Sequence, residues 1–135
     1  MFWLFKSEPH VFSWRDQARS PGPWTGVRNF QARNNLRAMS VGDRGFFYHS
    51  STKVPAVVGI VEVVAPAYPD PTADDPRWVS VDVRALQPLA PVTLAAIRAE
   101  PRLSSMVLVN NSRLSVQPVT AEEWGVICAM GGVEG

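Results

Sequence analysis

Residues 56–65 read Ala-Val-Val-Gly-Ile-Val-Glu-Val-Val-Ala, with Glu62 as the one charge. No polar alternation runs through this stretch, so neither of its faces is built for water. A run of this length and composition is a strand buried on both sides. Such a strand lies in the middle of a sheet, and the rest of the chain must cover it.

The flanking segments supply that cover. Residues 2–6 predict a first strand. Ser13 ahead of Trp14-Arg15-Asp16 predicts a capped short helix ending before Pro21. Pro21-Gly22-Pro23 predicts a rigid turn that delivers an exposed Trp24. Residues 29–39 suit a helix with Ala32, Leu36 and Met39 on its apolar face, and with Asn29, Arg33 and Arg37 at spacing four on another. Val41-Gly42-Asp43 turns the chain into a strand at 44–50. Residues 66–76, with four prolines and three Asp, predict a stiff acidic loop. Residues 77–85 alternate, with Val79, Val81 and Val83 inward and Trp78, Ser80, Asp82 and Arg84 outward. A short helix fits 93–99, a strand fits 114–119, and Thr120 with Glu123 caps a last helix. Short helices among strands without regular βαβ alternation indicate an α+β or mainly-β, barrel-like domain.

With 135 residues and 46% hydrophobic content, the chain has the size and the core of one domain, 1–135. No apolar run reaches the roughly 18 residues of a membrane helix. The first nine residues read as a strand and not as a signal peptide. Cys128 is the single cysteine, in an apolar segment, so the expectation is a core thiol and a cytoplasmic location. Net charge is +1, but residues 1–60 hold eight Lys or Arg against three Asp or Glu, and residues 61–135 hold five against nine. The chain is not globally basic, yet its first half can form a basic face.

Four constellations carry candidate chemistry. Trp24, Asn29, Arg33 and Arg37 combine a π face, amide donors and acceptors, and charge for phosphate. Phe46-Phe47-Tyr48-His49-Ser50 places Phe46, Tyr48 and Ser50 on one side of a strand and Phe47 and His49 on the other, as at a pocket mouth. Asn111-Ser112-Arg113-Leu114-Ser115-Val116-Gln117 projects Arg113, Ser115 and Gln117 from one face. Lys6 and Ser7 end the first strand, beside Glu8 and Pro9. Each of these also reads as an ordinary cap, strand end or solvated face. No spacing suits a metal, and no phosphate loop, nucleophile elbow or paired-carboxylate signature appears.

Several of these motifs together resemble the EVE domain, in the thymocyte nuclear protein 1 family and its small bacterial relatives. They are Phe-Lys-Ser-Glu-Pro at 5–9, Phe-Ser-Trp at 12–14, Trp-Thr-Gly-Val-Arg-Asn-Phe-Gln-Ala-Arg-Asn at 24–34, Phe-Phe-Tyr-His-Ser at 46–50, Val-Gly-Ile-Val-Glu-Val at 58–63, Ala-Tyr-Pro-Asp-Pro-Thr at 67–72 and Ser-Arg-Leu-Ser-Val-Gln-Pro-Val at 112–119. The resemblance implies a PUA-like mixed β-barrel flanked by short helices, and kinship with YTH and ASCH domains. It implies a reader of modified bases in which Trp24 matches the cage tryptophan, Lys6-Ser7 the strand end near the ligand, and Tyr48-His49-Ser50 the opposite wall. The segment after Pro71 is shorter than in many bacterial relatives.

The expectation is therefore a non-catalytic module, without cofactor or metal, that binds a modified base in DNA or RNA. Its base pocket would draw on Trp24, Asn29, Tyr48, His49, Ser50, Trp78, Arg113 and Ser115. Lys6, Ser7, Arg28, Arg33, Arg37 and Lys53 would meet phosphate. Two alternatives stay open: an ASCH-like amidohydrolase using Lys6 with Glu8 or Glu62, and a small-nucleotide sensor.

Overall fold

The computed structural model describes residues 1–111 and 113–134; Ser112, part of the third constellation, lies outside them. Among the described residues six strands form one mixed sheet. They are β1 (Phe2–Ser7), β2 (Gly22–Trp24), β3 (Arg44–His49), β4 (Ala56–Pro69), β5 (Val79–Thr93) and β6 (Val116–Val119), in the order β2-β5-β4-β3-β1-β6. Only β1 and β3 run parallel; the other pairs are antiparallel. The helices are α1 (Trp14–Arg19), α2 (Phe30–Ala38), α3 (Leu94–Ala99), α4 (Val107–Asn110) and α5 (Ala121–Met130). This is the expected α+β class, with β4 central as its two-sided burial requires.

Burial along β4 follows the register. Val57 and Ile60 belong to a core with Leu4, Phe46, Trp124 and Ile127, whereas Val61 and Val63 belong to a second core with Trp3, Phe5, Leu36 and Phe47. Register shifts near Val57/Gly59 and Ile60/Val61 place Val57 and Ile60, three positions apart, on one side. Cys128 is fully buried in the first core, and burial pushes its thiol up from its ordinary pKa.

Helix α2 packs against both β5 and β6, four positions apart in the strand order. Flat, those strands would be separated by nearly 20 Å at about 4.8 Å per step, more than one helix of about 10 Å diameter can bridge. The sheet therefore curls until its two ends approach under α2. Asn35 closes the gap on one side, its Nδ2 donating to the Val116 carbonyl at 2.7 Å.

The capping predictions hold. Ser13 and Asp16 form a capping box at α1, and Thr120 and Glu123 form one at α5. Three local expectations are corrected. Residues 66–69 continue β4 and do not join a loop, and β5 runs on to Thr93; Pro88 is tolerated opposite Gly59, beside a bulge. Pro21-Gly22-Pro23 is no free turn, because Gly22–Trp24 pairs with β5 as an edge strand, where proline leaves no ladder bond unmade. Ser80 and Gln117, read as outward, are both fully buried. The Ser80 hydroxyl donates to the Trp24 carbonyl at 2.9 Å, and Gln117 Nε2 donates to the Leu114 carbonyl at 2.7 Å. The Ser80 hydroxyl is met by backbone of a distant strand and Gln117 Nε2 by backbone three residues earlier, whereas Gln117 Oε1 has no hydrogen-bond partner among the described residues.

Candidate functional site

Where the curled sheet brings its ends together, a cavity of about 570 Å³ opens. Its lining comes from the end of β1 (Lys6, Ser7), the turn after it (Glu8, Val11, Phe12), the end of β2 with its exit loop (Pro23–Val27), and Ser115 just before β6. That volume lies in the range of small-molecule pockets.

Trp24 shares the aromatic part of the lining with Phe12, but it is not exposed as the sequence suggested. It is 7% exposed, because β2 carries it into the second core. Phe5, Phe12 and Phe47 meet it edge-on, with centroids 5.1, 6.2 and 5.5 Å away. Three rings at steep angles fix the indole plane, so Trp24 offers the cavity a narrow, rigid strip.

Two devices hold the walls around that strip. On one side, the Ser7 hydroxyl donates to the Phe12 carbonyl at 2.6 Å, and Trp14 N donates to His49 Nε2 at 3.0 Å. The Trp14 ring lies so close to Gly59 that a Cβ there would fall 2.4 Å from it, so this contact requires glycine. On the other side Gly26, at φ +83°, donates its N–H to Asp70 Oδ2 at 2.8 Å. The Asp70 side chain is sealed from solvent and also accepts from Arg28 Nη1 at 3.0 Å, from Thr72 N at 2.7 Å and from the Thr72 hydroxyl at 2.6 Å. Burial alone would raise its pKa; these hydrogen bonds outweigh burial and hold it at about 2. Asp70 was not among the expected site residues. The Asp-Pro-Thr turn that contains it was the available signal, since Asp with a hydroxyl two residues on is a turn former.

Several polar groups face the cavity. Thr25 and Ser115 are half-buried lining residues, and among the described residues neither hydroxyl makes a hydrogen bond. Lys6 lines the strand end with its Nζ 6.0 Å from the centroid of Tyr48, and burial lowers its pKa. Glu8 is bound to His10 at 3.1 Å.

Of the expected site residues, the cavity lining brings together Lys6, Ser7, Trp24 and Ser115. The others sit elsewhere. Tyr48 is buried in the first core, on the far side of the sheet from Trp24. His49 is occupied as an acceptor for Trp14 N, and Ser50 N is bonded to the Ser7 carbonyl at 2.9 Å. Asn29 caps α2, its Oδ1 accepting from Ala32 N at 2.9 Å. Trp78 stacks on Phe30 outside the lining, and Arg113 and Lys53 are exposed. Arg28 is committed to Asp70, whereas Arg33 and Arg37 donate to neutral oxygens of Asn34 and Arg77. Glu62, one of the two carboxylates considered for an amidohydrolase, is paired with Arg84 at 2.8 Å and does not line the cavity. Among the described residues no cluster could hold a metal ion, and no helix is long and apolar enough to cross a membrane.

Known proteins bear on this geometry. The EVE domain family model matches residues 1–130. Mouse thymocyte nuclear protein 1 is 38% identical over 164 aligned positions, covering 96% of this chain and 73% of that protein. The crystal structure of protein Atu2648 from Agrobacterium tumefaciens is 52% identical with a TM-score of 0.94, covering 98% of this chain and 93% of that one. Human THYN1, solved in complex with 5-methylcytosine-containing DNA, is 33% identical with a TM-score of 0.86, covering 99% of each chain. A YTH domain from Zygosaccharomyces rouxii, at 16% identity and a TM-score of 0.57, shares the fold alone. The fold is therefore PUA-like, and the chain belongs to the EVE domain family.

Proposed function

We propose that this protein is a non-catalytic reader of a modified base, which it takes into the cavity beside Trp24. The observation that carries the reading is the combination of a rigidly held indole strip with two hydroxyls, on Thr25 and Ser115, that no described residue uses. An unpaired base offers a π face and an edge of donors and acceptors, and this lining answers both. The human relative bound to DNA containing 5-methylcytosine supports a base in nucleic acid as the ligand class.

Magnitudes favour a reader over a general strand binder. Stacking contributes roughly 1–3 kcal/mol per base. Extruding a base from a duplex costs a few kcal/mol. A 7%-exposed Trp24 gives the lower part of that stacking range, so extrusion is offset only if the rest of the pocket contributes. Discrimination then comes from hydrogen bonds to Thr25 and Ser115 and from apolar contact of the modifying group with Val27 and Phe12.

The test is equilibrium binding to short strands that differ in one central base, methylated or unmodified, in DNA and RNA. Preference for one modified base over its parent supports the reading. Equal affinity for every strand refutes it. Incubation with methylated and acylated nucleosides, followed by chromatography, checks for turnover; product lost in Lys6→Ala would replace the reader with a hydrolase.

A further inference from the structure

Beside the pocket the surface carries a second aromatic feature. Phe30 opens α2 with 54% exposure, and its ring stacks on Trp78 with centroids 4.9 Å apart and planes 29° from parallel. Neither ring belongs to the two cores, and α2 meets the second core through Ala32 and Leu36. Guanidinium groups flank the pair: Arg33 lies 4.9 Å from the Phe30 centroid and Arg28 lies 5.9 Å from that of Trp78.

Charge around the stack is arranged in two classes. Arg28 and Arg77 are neutralised by Asp70 and Asp75. Arg33 and Arg37 donate to the neutral oxygens of Asn34 and Arg77, which leaves their charge uncompensated by a salt bridge among the described residues. An exposed π stack beside two such cations suits an unpaired base joined to phosphate. The patch is continuous with the cavity. Val27 lines the cavity, Arg28 follows it against Trp78, and Asp70 holds both Arg28 and Gly26.

We propose that Phe30 and Trp78 form a stacking platform for the nucleotide next to the one in the cavity, with Arg33 and Arg37 on its phosphate. This rests on the nucleic-acid reading above, and it moves Trp78 from the pocket to the flanking strand. An unpaired nucleotide of DNA or of RNA has the required chemistry.

The experiment measures anisotropy of labelled thymidine pentamers with central cytosine or central 5-methylcytosine, and of the matching RNA pentamers. The proteins are the parent, Phe30→Ala and Phe30→Leu. Leucine keeps apolar cover but has no π face. Both variants are expected to weaken modified and unmodified strands alike, by about tenfold for one lost stacking contact, with the preference for the modified base unchanged. The set of strands most affected, DNA or RNA, identifies the source of the nucleotide. Leucine or alanine variants that bind as the parent does would overturn the platform. So would a parent that binds no pentamer, or a change of oligomeric state in Phe30→Ala with strand binding intact. Failure of the pocket reading looks different: no protein then prefers the modified base, while the Phe30 effect persists.

Discussion

The Asp70 carboxylate and the Gly26 amide, 44 residues apart in sequence, meet at 2.8 Å beneath the rim of the cavity. One buried anion thereby fixes a left-handed glycine, the Arg28 guanidinium and the Thr72 turn at once. The loop that lines the cavity is set by the tip of the β4–β5 hairpin, not by its own sequence neighbours.

Asp70→Asn is expected to destabilise the protein by about 2 kcal/mol at neutral pH, the scale of a carboxyl lowered from 3.8 to about 2. The folded pKa lies below the unfolded one, so this stability is fully present above about pH 4. It is lost as pH falls through 2. Urea midpoints at pH 7 and at pH 2 measure it: the variant should fall below the parent at pH 7 and converge on it at pH 2. A constant gap between them would show that the contribution is packing and not charge.

Trp24→Ala should cost about 3–5 kcal/mol, because the indole is buried against Phe5, Phe12 and Phe47. The melting temperature should drop by roughly 10 °C or more. Trp24→Phe keeps an apolar ring and is the better probe of ligand contact. It should weaken modified-strand binding more than it lowers the melting point. A Trp24→Ala protein as stable as the parent would contradict this burial.

Trp24 also marks the limit of what the sequence revealed. Its neighbours Pro23 and Thr25 hide the fact that β2 pairs with β5, so an isolated-looking Trp read as exposed. The pairing is long-range, and no local period encodes it. Periodicity worked where one element buries one face: the caps at Ser13 and Thr120, the alternation of Val79, Val81 and Val83, and the double burial of β4. It failed for Ser80, whose partner is the carbonyl of Trp24 on β2, and for Gln117, whose side chain turns back to the Leu114 carbonyl three residues earlier. The motifs around Lys6-Ser7, Trp24 and Ser115 reach one cavity because the sheet curls, and β3 separates from them because Tyr48 points to the opposite core.

His49 should give the protein an acid-sensitive wall. Burial lowers its pKa below the ordinary 6.5, and Nε2 accepts from Trp14 N, so the folded state holds the neutral ring. The unfolded state then binds the proton more readily. The contribution is fully present above about pH 6.5 and declines as pH falls toward the lower folded value. Denaturant midpoints between pH 7.5 and 5 should slope downward in the parent and flatten in His49→Gln. Equal slopes would assign the acid sensitivity to another group.

Arg33→Ala and Arg37→Ala should each weaken binding to all strands alike. Among the described residues neither arginine is bound to a carboxylate, and both lie on exposed or rim positions of α2, outside the cavity lining. A phosphate contact carries charge but no base information, so the ratio between modified and unmodified strands should not change. Each loss should reduce the slope of log affinity against log salt by about one unit. Titrations at several salt concentrations give that slope directly. Slopes equal to the parent's would make these arginines a solvated helix face, and an altered base preference would place them against a base edge.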